Sequence, residues 1–205
     1  IVIFENVFVP WERVFLYVDP QLANGAFGAT NAVIHMAHQV MAKNIAKTEF
    51  MLGLASLIVD TIAIEPFQHV HEKVAEIIIG LESMKALLKA AEVDAQIDRW
   101  GVMTPARGPL DAARNLYPKL YPRFAEIIQQ LSASGLMATP TEADIHGPAG
   151  DDIERYLTAA RADARERIAL FRLAWDTAVS SFGSRQVLYE RFFFGDPVRM
   201  AGALF

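Results

Sequence analysis

The sequence predicts an all-α fold, an antiparallel four-helix bundle, with the end of a β-strand in front of it. Three observations carry that prediction. Almost nothing between Gly28 and Ile64 interrupts a helix. Apolar seams with steps of three and four residues recur in two later segments. Only the opening residues alternate apolar and polar side chains in the manner of a strand.

That opening stretch is FENVFVPWERVF, Phe4 to Phe15, and Pro10 stands where an edge strand would stop. The first helix follows from Gly28 to Ile64. Gly53 is its only internal glycine, proline is absent, and the charges after His35 are Lys43, Lys47, Glu49 and Asp60. A helix apolar on most sides belongs at the centre of a bundle or between subunits. Pro66 suits the first turn of a second helix. Its seam is Val70, Val74, Ile77, Leu81, Met84, Leu88, Ala91 and Ala95, with Gly101 as its stop and GVMTPARGP as the connection.

A third helix is expected from Leu110 to about Ser132, kinked or split by Pro118 and Pro122. Ser132 to Gly150 is a long irregular segment of the kind that carries function or disorder. The fourth helix is expected from Asp151 to Phe182, its N-terminus suited by Asp151 and Asp152. Its seam runs through Ile153, Leu157, Ala160, Ala164, Ile168, Phe171, Trp175, Ala178 and Phe182. FGSRQ then breaks it, before a short helix QVLYERFFF and a tail. Four such segments with short to medium connections make an up-and-down bundle.

The chain of 205 residues is 53% hydrophobic and 21% charged, a packed globular composition. A formal charge of −5 argues against a nucleic-acid partner, and the basic residues of ARADARER alternate with acids as on a solvated helix face. There is no cysteine, which removes disulfides, thiolate nucleophiles and cysteine-ligated metals or clusters. The longest uncharged apolar run, FMLGLASLIV, is too short for a bilayer, which needs about 20 residues. No signal peptide is visible and a cytoplasmic location is compatible with all of this. The chain starts in mid-pattern without a methionine, as expected of a fragment.

His35, His38, Gln39 and Lys43 share one broad face of the first helix. Three readings stand: polar residues at a buried boundary or subunit contact, a metal site, and a cofactor or substrate face where an imidazole moves a proton near neutral pH. The Glu-x-x-His pair of bundle metal sites is absent. HVHE, His69 to Glu72, reads as surface. QQLSASGL, Gln129 to Leu136, is a helix end running into small residues. There a ligand can approach the backbone, or the helix simply stops. FGSRQ has the same character with Arg185 added, a side chain well shaped for phosphate.

Three blocks, FENVFVPWERVF, HMAHQVMAKNIAKTEFMLGLA and FGSRQVLYERFFFGDPVRMAGAL, together resemble the C-terminal part of the 4-hydroxyphenylacetate 3-monooxygenase large component family, over essentially the whole chain. The resemblance implies the acyl-CoA dehydrogenase plan: an N-terminal helical domain, a middle β-domain and a C-terminal four-helix bundle. Residues 1–15 then correspond to the end of the middle domain and the crossing out of it, with Val2, Phe4, Val7, Val9 and Pro10 at the pattern positions, and residues 16–205 to the bundle.

It also implies chemistry. Members take reduced FAD as a diffusible substrate from a separate flavin reductase. The flavin reacts with dioxygen to a C4a-hydroperoxide, which hydroxylates a phenol ortho to its hydroxyl, while the protein positions the ring and excludes water. The plan's Gln-x-x-Gly-Gly-x-Gly segment, which touches the FAD of a neighbouring subunit, falls on Gln129, Ser132, Ala133 and Gly135, with Ser132 and Ser134 as hydrogen-bond donors. GSRQ, Gly183, Ser184, Arg185 and Gln186, resembles a late FAD-contacting turn, with Arg185 for the pyrophosphate or adenine. His35 resembles a flavin-facing histidine of related chlorophenol monooxygenases and of 4-hydroxybutyryl-CoA dehydratase, and is the expected acid or base, followed by His38. The dehydratase cluster is disfavoured, since the expected cysteine is Ala42. A homo-oligomer, dimer or tetramer, is implied. The phenol-binding residues of the family lie largely outside this segment, so these residues alone are expected not to hydroxylate. The competing expectation is a non-catalytic bundle that serves only assembly.

Overall fold

The structure, a computed structural model, describes residues 1–205. Its helices are α1 (Pro20–Ala29), α2 (Ala32–Thr61), α3 (Gln68–Val93), α4 (Arg107–Ser132), α5 (Glu142–Ile145), α6 (Gly150–Tyr156), α7 (Ala164–Ala178), α8 (Ser181–Phe192) and α9 (Pro197–Gly202). A two-stranded hairpin, β1 (Gln96–Ile97) and β2 (Met103–Thr104), joins α3 to α4.

The bundle is up-down-up-down. His38 meets Glu92 and Glu49 meets Lys85, so α2 and α3 are antiparallel. Ala106 donates its N–H to Ala91 while Arg123 pairs with Glu76, so α3 and α4 are antiparallel as well. Gln129 reaches Ala178 and Arg114 reaches Met200, so the fourth column descends beside α4. That column is α7 followed by α8. The core fills the space between the columns with Met41, Met51, Ile58, Ile77, Met84, Tyr117, Tyr121, Phe124, Ile128 and Phe171.

Several expectations are corrected by the physics of the ends. Phe4 to Pro10 forms no strand, because a strand needs a ladder partner and the chain offers none; the segment is exposed and ends in a short 3-10 turn at Trp11–Arg13. The first helix divides into α1 and α2 at Thr30 and Asn31. Asn31 is left-handed, with φ at 57°, a conformation its side chain tolerates better than most. Asp19 caps α1 by accepting from Leu22, and Pro20 occupies its first turn. The α3 seam is as expected except that α3 stops at Val93, leaving Ala95 beyond it, and Gly101 lies in the hairpin turn rather than at the helix stop.

α4 runs unbroken through Pro118 and Pro122. Each proline removes one ladder bond at a cost of about 3 kcal/mol. The seam Leu110, Ala113, Tyr117, Tyr121, Phe124, Ile128 and Leu131, all buried, offsets that cost. The expected fourth helix is not continuous. Asp163 and Glu166 form a capping box that starts α7 afresh, so Ile153 and Leu157 belong to the separate α6 region. No helix is long and apolar enough to cross a membrane.

Candidate active site

The residues singled out in the sequence fall into three places: His35 and His38 at one end of the bundle, Gln129 to Gly135 at the other, and GSRQ between them, level with Lys47. The first group surrounds His35, on the opening turns of α2. His35 is half-buried, and its Nε2 lies 3.5 Å from Thr104 Oγ1. Thr104 in turn donates to Asp98 Oδ2 at 3.2 Å, and Asn31 Nδ2 donates to the same oxygen at 3.0 Å. Asp98 Oδ1 accepts from the N–H groups of Trp100 and Val102 at 2.8 and 3.0 Å. These bonds, the one from Val102 first, hold the Asp98 carboxyl below the usual carboxylate range. Arg99 and Trp100 both donate to the Ala29 carbonyl, which ties the hairpin to the α1–α2 junction.

Sequence reasoning missed Asp98 and Thr104. Their signal was present as Asp-x-x-Gly, Asp98 to Gly101, the residues of a tight turn; the Gly101 N–H donates to the Asp98 carbonyl at 3.0 Å. His38, one turn on from His35, pairs with Glu92 of α3 at 2.9 Å on the half-exposed surface. A pair so placed contributes at most about 1 kcal/mol.

The second group lies at the far end of α4. A helix of 26 residues spans about 39 Å, so this group is well separated from His35 within one chain. Gln129 Nε2 donates to the carbonyl of Ala178, the last residue of α7, at 2.7 Å. Ser132 is buried, and its Oγ has no partner. Ala133 turns the chain with φ 48° and ψ −139°. Ser134 is exposed. Gly135 backs onto Phe171, whose Cε1 would lie 2.3 Å from a Cβ at that position.

GSRQ is not a turn. The column breaks earlier, at Val179 and Ser180, where Ser180 caps α8 by accepting from the Gly183 N–H, and GSRQ forms the opening turns of α8. Gly183 is buried against the end of α7; a Cβ there would stand 2.7 and 2.8 Å from the carbonyl oxygens of Thr177 and Asp176. Ser184 Oγ donates to Val179 O, and Gln186 Oε1 accepts from Lys47 at 2.6 Å. Arg185 is exposed and forms no ion pair. What remains open to a ligand is the Ser134 hydroxyl at the far end of α4 and, lower on the column, the Arg185 guanidinium. A guanidinium of this kind suits a phosphate. No cluster of three or more histidine, aspartate or glutamate side chains converges anywhere.

Between the two ends lies a charged cluster that the sequence did not reveal. Glu190, 1% exposed, accepts from Lys43 and Lys47, and the ammonium groups lie over the rings of Tyr189 and Tyr121. Burial lowers the Lys43 pKa, against the opposing bond and charge of Glu190.

A family model described as 4-hydroxyphenylacetate 3-hydroxylase C terminal matches residues 23–205. The chain belongs to this family. It is 58% identical over 206 residues to the 4-hydroxyphenylacetate 3-monooxygenase oxygenase component of a Geobacillus species, covering 100% of this chain and 42% of that relative. A crystal structure of the oxygenase component HpaB, complexed with FAD and 4-hydroxyphenylacetate, superposes with a TM-score of 0.92 at 54% identity, over 98% of this chain and 42% of that one. An archaeal 4-hydroxybutyryl-CoA dehydratase from N. maritimus, 18% identical, has a TM-score of 0.87 over 98% of this chain and 40% of its own, a likeness of fold alone. The bundle is thus the one the sequence predicts. The chain spans about two fifths of the length of the curated relatives it matches.

Proposed function

We propose that this chain is the C-terminal helical domain of the oxygenase component of a two-component aromatic hydroxylase, acting on 4-hydroxyphenylacetate or a similar phenol. The observation that carries the reading is the end-to-end likeness to such a component, 58% identity over the whole chain. Reduced FAD, delivered by a partner reductase, would activate dioxygen and supply the oxygen atom that enters the ring ortho to the hydroxyl.

This chain's own residues would bind and orient. Arg185 meets a phosphate of the cofactor and Ser134 a further polar group of it, with the Gln129 amide tying the end of α4 to α7 beside the turn that presents Ser134. His35, steadied by Thr104, holds or moves a proton at Nε2 near the reacting ring. Ser134 lies about the length of α4 from His35, so one cofactor meets both only where two protomers bring opposite ends together. The reading therefore entails a homo-oligomer.

A specific observation favours a second reading, a module for assembly alone. The Gln129 and Gln186 amides are engaged within the chain, and Gly135 and Gly183 are closed by their own neighbours. One experiment separates the two. The protein carrying this chain is supplied with reduced FAD, dioxygen and 4-hydroxyphenylacetate, and catechol and hydrogen peroxide are quantified. The hydroxylase reading expects catechol from the parent, more peroxide per flavin oxidised in His35→Gln, and weaker flavin binding in Arg185→Ala. The absence of catechol with every para-substituted phenol, together with unchanged flavin binding in Arg185→Ala, would leave the assembly reading standing.

A further inference from the structure

A cavity of about 340 Å³ lies between α4, the end of α8 and α9, within the range of small-molecule sites. It is separate from the residues proposed above to meet the flavin. On α8, Glu190 and Gln186 face α2, and Arg191, one residue on, is turned about 100° round the helix, so that it lines this cavity instead.

Its walls combine cations and apolar rings. Arg114, 13% exposed, spends Nη1 on Asp111 at 3.1 Å. Its Nη2 finds only the Met200 sulfur at 3.6 Å, a weak acceptor, and its Nε is buried without a partner. Asp111 is shared, because Arg107 also binds it at 2.8 Å. Lys119 of α4 and Arg191 of α8 also line the cavity and make no ion pair. The nearby Asp196 carboxylate is occupied in capping α9 through the Val198 N–H. The Arg114 guanidinium lies 5.1 Å from the Phe194 ring centroid, and Pro118 and Pro122 supply further apolar wall.

Three cations thus converge with one shared carboxylate among them, and a buried guanidinium keeps a donor unsatisfied, a costly state unless an acceptor arrives. We propose that this cavity binds a small organic carboxylate. The carboxylate is held by Arg114 and Arg191, and an apolar body rests against Phe194, Met200 and the proline rings. A guanidinium fork recognises a carboxylate in two-pronged fashion, and the stacked ring holds the fork in place. A bare anion would use the charges but leave the apolar wall wet. The site therefore prefers an arylacetate or a similar acid to inorganic phosphate.

The test is calorimetric titration of phenylacetate, and separately of inorganic phosphate, into the protein and its Arg114→Gln, Arg191→Gln and Lys89→Gln variants, with circular dichroism confirming that each folds. Phenylacetate is expected to bind the parent and the Lys89→Gln control, an exposed lysine of α3 outside the cavity, equally, to bind each arginine variant about tenfold or more weakly, and to exceed phosphate in affinity. Arg114→Lys, which keeps the charge but not the fork, should recover part of the loss. The proposal is overturned if phenylacetate does not bind the parent, if it binds elsewhere so that both arginine variants match the parent, or if phosphate binds as tightly.

Discussion

Lys43 Nζ lies 2.7 Å from each carboxylate oxygen of Glu190, and Lys47 reaches the same carboxylate at 2.7 Å. This contact joins the first and last columns of the bundle at mid-height. Its desolvation cost is offset by two ammonium partners and three surrounding phenol rings. Glu190→Ala leaves both half-buried lysines without an acid. The expected loss is about 3 kcal/mol in urea denaturation, tempered by the partial exposure of the lysines, with a smaller loss for Glu190→Gln, which keeps an acceptor. Equal stability of parent and Glu190→Ala would show the pair to be neutral.

The rings beside that cluster set an alkaline limit. Burial, with Glu190's charge adding to it, pushes Tyr121 up to about 12 from 10.0, and burial pushes Tyr117 up as well. The unfolded phenols ionise near 10 while the folded ones keep their protons, so the folded state binds more protons there. Stability is therefore lost as pH rises above 10. Lys43 acts oppositely. Its folded pKa lies below 10.5, so its unfavourable contribution fades as pH approaches that value. The melting temperature should decline between pH 10 and 12, and the decline should be shallower in Tyr121→Phe. A parallel decline in parent and variant would contradict the assignment.

The four columns were legible because α2, α3 and α4 bury regular apolar seams, a signal that survives without any knowledge of neighbours. What escaped was local and competitive. Pro118 and Pro122 suggested a break that the seam of α4 overrides. Asp163 and Glu166 formed a cap inside what read as one long seam. Glu190 carried no signal of its own in the sequence, because only the packing of α8 on α2 buries it. GSRQ read as a break, whereas Ser180 caps the helix these residues open, a cap hidden within a seam that ran on to Phe182.

At the junction of α7 and α8, Gly183 leaves no room for a methyl group. A Cβ would meet two backbone carbonyls, at 2.7 and 2.8 Å, which cannot swing aside as a side chain can. Gly183→Ala should therefore destabilise by about 1–3 kcal/mol. Gly135→Ala meets the Phe171 ring instead, and pairing it with Phe171→Leu should recover part of the loss, whereas the same second change should not rescue Gly183→Ala. Denaturation of the four variants measures both effects. Rescue of Gly183→Ala by Phe171→Leu would place the clash elsewhere.

Asp98 controls the opposite end. Its two oxygens gather the hairpin amides, Asn31 and Thr104, and Thr104 stands between it and His35. Its carboxyl is held below 3.8, so the bonds to its charged form contribute above the unfolded value and are lost as pH falls through the lower folded one. Asp98→Ala should therefore speed hydrogen exchange at the Trp100 and Val102 amides at neutral pH while leaving the α4 core protected. In the parent, the same amides should lose protection only on strong acidification. If His35 serves the chemistry proposed for it, Asp98→Ala should also move the pH profile of product formation, because Thr104 loses the acceptor that fixes its hydroxyl. Asp98→Asn, which keeps one acceptor for the hairpin amides, should restore amide protection more fully than it restores the profile. An unchanged exchange pattern in Asp98→Ala would show that the turn is held by Gly101 and the strand pair alone.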